Sequence, residues 1–178
     1  MTNPASSPFH PQPSLSTIPL MQKLSLTLAR LSLSAWIGAA ALFVVTSISE
    51  QVSTEYGSDV KNVLAALRFP WYYLFGFVLV GTGLLGSVIG LSGGQNRRRC
   101  LLIVVTLGLA LTLMIADYGF VYSPLHEIVT RPDGVRDARF KEIHDWSERI
   151  NTVDVGLCLI AAIAVCGTER RSDAEQKL

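Results

Sequence analysis

Residues 69–91 read FPWYYLFGFVLVGTGLLGSVIGL, 23 consecutive positions without a charge. About 20 helical residues cross the hydrocarbon of a bilayer, so this run is long enough to span one. A buried helix of a water-soluble protein would turn a polar face outward at helical spacing, and no such face recurs here. In lipid the backbone must satisfy its own hydrogen bonds, and the run is too long for a barrel strand. The stretch is therefore read as a transmembrane helix.

Three further runs flank it, over residues 31–48, 100–122 and 150–167. The fold expected is all-α, an integral membrane four-helix bundle over residues 23–167. A Pro/Ser-rich segment, 1–22, has little to bury and reads as a disordered tail. Residues 168–178 read as a polar C-terminal tail. The first run is not read as a cleaved signal peptide: 30 residues precede it, and it continues through Leu42, Phe43, Val44 and Val45.

Composition agrees. Of the 178 residues, 49% are hydrophobic and 16% charged, with a mean hydropathy of +0.38. Soluble domains carry about 25% charge. A net charge of +1 does not supply the basic face of a nucleic-acid binder. Three cysteines, Cys100, Cys158 and Cys166, make no disulfide framework. Cys100 and Cys166 fall at the same end of the third and fourth runs, where they could be neighbours.

Orientation is read from Lys and Arg beside the spans. Eight lie on the side shared by both chain ends and the 92–99 connection, and seven on the other. The compact Arg97-Arg98-Arg99 cluster breaks the near-tie. It places both termini in the cytoplasm of a multi-pass protein of the cell (inner) membrane.

Only Asp117 and Asp154 put charge inside the runs. At about 1.5 Å per residue, both fall roughly 6–8 Å inside one membrane face. Glu50, Arg68, His126, His144 and Arg149 belong to that face too. An intramembrane carboxylate calls for a partner, and Arg68 and Arg149 are the partners expected. Such pairs could serve a binding site or simply fix helix register. If the segment before the fourth run is helical, His144, Ser147, Asn151 and Asp154 share one stripe. With Asp117 and Arg68 they form the candidate polar cluster, suited to an ion, a lipid head group or a partner.

Thr82, Gly86 and Gly90 recur every four residues, which lets another backbone approach closely. An internal contact and a homodimer face both fit, the first being preferred. Pro70 is expected in a first turn, where no helical hydrogen bond is lost. Trp71, Tyr72 and Tyr73 then become anchors at the water–lipid boundary.

No metal-ligand spacing, phosphate loop or nucleophile elbow is present. No metal, cofactor or catalytic residue is assigned, and an enzyme is the least favoured class.

Three short patterns resemble a known family. They are Trp36-Ile37-Gly38 in the first run, Phe69-Pro70 opening the second, and Phe140-x-x-x-His144-x-x-Ser147-x-x-x-Asn151 before the fourth. Over roughly residues 30–167 the chain resembles the four-helix membrane family named domain of unknown function 4149, which includes the transmembrane protein 205-like proteins. The N-terminal tail and the 123–149 connection, with Arg131-Pro132-Asp133-Gly134 as a turn, depart from its pattern. The resemblance implies a multi-pass membrane protein and supplies no activity.

Two functions are carried forward. One is a non-enzymatic membrane protein whose polar cluster binds an ion, lipid head group or partner. The other is a small transporter or proton-coupled subunit using Asp117 and Asp154. The bilayer is the expected surrounding, with a homo-oligomer or membrane partner possible.

Overall fold

A computed structural model describes residues 20–91, 97–130 and 138–167. Its elements are α1 (Leu20–Val52), α2 (Ser58–Leu91), α3 (Arg97–Ala116), a π-helical turn (Asp117–Tyr122), α4 (Ser123–Thr130) and α5 (Ala138–Cys166). Four helical stretches are long and apolar enough to cross a membrane: Leu20–Val52, Ser58–Leu91, Arg97–Ile128 and Arg139–Cys166. The all-α four-helix bundle is as expected. The tail 1–19, the connection 92–96, the turn at 131–134 and the end 168–178 lie outside the described residues.

Every helix outruns its apolar core. Helix α1 begins at Leu20, inside the segment read as tail, and α2 begins at Ser58, eleven residues before Phe69. Pro70 therefore sits inside α2 rather than in its first turn. Its missing N–H leaves the Ala66 carbonyl without the usual helical donor. The third helical stretch runs on through the π turn to Thr130, past the expected end at Tyr122.

The π turn has a local cause. Pro124 has no N–H, and its ring would strike the Phe120 carbonyl of a regular α-helix. The chain widens just before it, and both Ser123 N–H and Ser123 Oγ bond the Tyr118 carbonyl. Five regular α-helical residues would turn Tyr122 about 140° from Asp117. With i→i+5 bonding both side chains are buried.

The helices form a closed ring in the order α1, α2, α3, α5, with α5 packed back on α1. Leu33, Trp36, Val80, Ile103, Leu107 and Cys158 fill its centre. The α1–α2 seam is the tightest. A Cβ at Gly86 would stand 2.7 Å from the Ser25 carbonyl oxygen, and one at Gly90 would meet Leu26. The stripe thus serves the internal contact, with one shift: Gly83, buried against Leu33, joins it, whereas Thr82 is only half-buried.

Basic side chains close two helix ends. Lys61 Nζ donates to the carbonyl of Gln51, in the last turn of α1, at 2.8 Å and to that of Ser53, just past its end, at 2.9 Å. Arg99 donates from Nε and Nη2 to the Ala164 carbonyl, and from Nη1 to Gly167. These carbonyls are among the orphans that every helix C-terminus leaves.

Candidate functional site: a buried carboxylate beside an apolar groove

Asp117 opens the π turn and is 1% exposed. Its Oδ2 accepts from Tyr73 Oη at 2.5 Å, Asn151 Nδ2 at 3.1 Å and Ser147 Oγ at 3.3 Å. Asn151 in turn accepts the Tyr72 hydroxyl on its Oδ1, at 3.1 Å. Three helical stretches thus meet on one carboxylate oxygen: α2 through Tyr73, the π turn, and α5. Asn151 and Ser147 can both reach it because they lie four apart on α5.

Asp154 lies one turn beyond Asn151 on the same helix and is also 1% exposed. Neither of its carboxylate oxygens has a hydrogen-bond partner among the described residues, and Asp117 Oδ1 has none either. Asn151 bonds Asp117 and precedes Asp154 by one helical turn, so the two aspartates flank the same amide. The expected stripe is therefore present, but its members differ in role. Ser147, Asn151 and Asp154 are buried or half-buried in the bundle. His144 is exposed, with its ring stacked on Phe140 at 5.8 Å.

The expected arginine partners are engaged elsewhere. Arg68 forms an ion pair with Glu50 and lies over the Phe43 ring at 5.7 Å. Arg149 is exposed over Trp146. Helix phase accounts for Arg149, which sits on an exposed face of α5, whereas Arg68 is half-buried at the groove and spends its guanidinium on Glu50. A hydroxyl and an amide from buried positions on α5 reach Asp117 instead.

Tyr72 and Tyr73 were expected as boundary anchors. Trp71 is 63% exposed on the outside of the bundle, whereas Tyr72 and Tyr73 are buried at 8% and 1%. Their contribution to the polar cluster was hidden by reading Phe69-Pro70 as a helix start. The signal available was the uninterrupted helical composition of residues 58–68.

One wall of this cluster faces a groove of about 950 Å³. Its sides are the second half of α1 and the first half of α5, with α2 and α4 behind. Phe43, Phe69, Tyr72 and Tyr122 supply aromatic surface, with Phe43 and Tyr72 centroids 4.4 Å apart. Ser147 and Asn151 belong to both the groove lining and the Asp117 cluster. Arg68, His126, His144 and Glu148 complete its polar margin.

Among the described residues, no three His, Cys, Asp or Glu side chains come together in a group that could hold a metal ion. Cys100, Cys158 and Cys166 are free thiols. No family model matches the chain, and no curated protein or solved structure matches it either.

Proposed function

We propose that the chain is a multi-pass membrane protein that binds an amphiphile in the groove between α1 and α5. The ligand class is a lipid-like molecule with an apolar chain and an uncharged, hydrogen-bonding head. The groove carries this reading, because apolar walls there end on the hydroxyl and amide groups of Tyr72, Ser147 and Asn151. Binding sites for small ligands combine such apolar surface with a few fixed polar groups. The head is assigned as uncharged because the lining provides no net positive charge. Arg68 is paired with Glu50, and Glu148 adds an acid.

The resemblance to the domain of unknown function 4149 family belongs to the same proposal. Ser147 and Asn151, two positions of its third pattern, are the side chains that join the groove to Asp117. The proposed location is the cell (inner) membrane with both termini cytoplasmic. Lys23, Arg97 and Arg98, all exposed at one end of the bundle, support that orientation.

The test is native mass spectrometry of full-length protein extracted in mild detergent, alongside Ala41→Trp and Ala66→Trp. Both substitutions place an indole in the groove. A bound lipid-like mass on wild type, reduced at least tenfold in both variants, is the expected result. Equal loading of all three proteins would overturn the assignment.

A further inference from the structure

The groove does not account for Asp154. This side chain is 1% exposed, lies away from the groove lining, and has two carboxylate oxygens without a hydrogen-bond donor. Leaving a buried charge unpaired costs several kcal/mol, and proteins avoid it by pairing or neutralising the group. Among the described residues, pairing is not provided. The buried residues of α1, from Leu26 to Ala40, and of α3, from Ile103 to Met114, include no ionisable group. From α2 come the Tyr72 and Tyr73 hydroxyls, committed to Asn151 and Asp117. From α4 comes His126, bonded to Tyr122. Cys158, one turn along α5, is a free thiol. The π turn contributes Asp117, a second acid.

The two acids are not equivalent. Asp117 Oδ2 receives three donors, an arrangement that favours a carboxylate. Its Oδ1 is still open, as are both oxygens of Asp154. One acid is thus provided with donors for its charged form, and the other is not.

We propose that Asp154 and Asp117 form a buried acid pair that holds one exchangeable proton, carried on Asp154 with Asp117 ionised. The ligand is the proton itself. The proton adds to a carboxylate oxygen of Asp154 and leaves the same atom on release, with no other bond changed. Two carboxylates sharing one proton avoid placing two like charges in a dry interior.

The experiment is infrared spectroscopy of the full-length protein in lipid nanodiscs, comparing wild type, Asp154→Asn and Asp117→Asn in sodium-free buffer. At pH about 6, roughly two units above an ordinary aspartate, exposed carboxyls are ionised. Wild type should then show a protonated-carboxyl carbonyl band that shifts in heavy water and is lost in Asp154→Asn. A wild-type spectrum without this band overturns the proposal. So does a band that persists in Asp154→Asn, or one that does not shift in heavy water. Loss of the band on adding sodium at constant pH would assign the pair to a metal cation instead and also overturn it. If the variants do not fold, the wild-type spectrum decides alone, since the band must be present and exchangeable.

Discussion

Asn151 donates its amide to Asp117 across the seam between α5 and the π turn, 3.1 Å from nitrogen to oxygen. The same side chain accepts the Tyr72 hydroxyl from α2 and bonds back to Ser147. One half-buried amide thereby ties together three parts of the bundle. A network of this kind fixes helix register when it is complete and is destabilising when one member is removed.

Asn151→Leu should accordingly destabilise the bundle more than its lost volume suggests. Tyr72 loses its acceptor and Asp117 loses a donor, and each orphaned group costs about 1–3 kcal/mol. Thermal unfolding in detergent should show a clear drop in midpoint. Thr152→Leu, an exposed neighbour, should unfold like wild type.

At the α1–α2 seam, Gly86→Ala should cost about 1–3 kcal/mol through overpacking, because the new methyl meets the Ser25 carbonyl rather than a movable side chain. Gly81→Ala is the control, with nothing within 4 Å of its Cβ. Equal melting of the two variants would show that the glycine face is not a close contact.

Arg99→Lys should loosen the end of α5. A lysine ammonium does not reproduce the fork that reaches Ala164 and Gly167 together. Amide hydrogen exchange should accelerate over the final turn of α5 while the Asn151 region keeps its protection. The loss is about 1 kcal/mol.

The ion pair between Glu50 and Arg68 should matter little to stability. Both side chains are about a quarter exposed, at 24% and 28%. A double-mutant cycle with Glu50→Gln and Arg68→Gln should return a coupling below about 1 kcal/mol, shrinking as salt is added. A coupling several times larger would mean the pair is far drier than its exposure indicates.

The bundle was legible in the sequence because charge and apolarity are segregated so strongly along it. Residues 69–91 alone fix the kind of solvent their helix requires. The stripe from His144 to Asp154 was legible for the same geometric reason, as helical periodicity holds whatever surrounds the helix. Partners were a different matter. Opposite charge suggested Arg68 and Arg149 for the aspartates, but sequence spacing gives neither helix rotation nor competing partners: Arg149 is exposed and Arg68 is taken by Glu50. The buried tyrosines were missed because Pro70 looked like a boundary. In a membrane helix neighbouring contacts can accommodate a proline that would break a soluble one. The π turn is set by Pro124, a signal visible in the sequence but attached to a segment expected to be a connection.

The glycine face between α1 and α2 also bears on how the chain enters the membrane. Five residues, 53–57, join these helices, and their contact is made from residues of the two alone. The first hairpin is therefore equipped to close as soon as its second helix has been inserted, before any acidic residue of the interior has entered the membrane. Asp117 and Asp154 both arrive later, in the second hairpin, and meet a surface on which the Tyr73 hydroxyl is already present. The order of synthesis gives the costly residues a prepared receiving face.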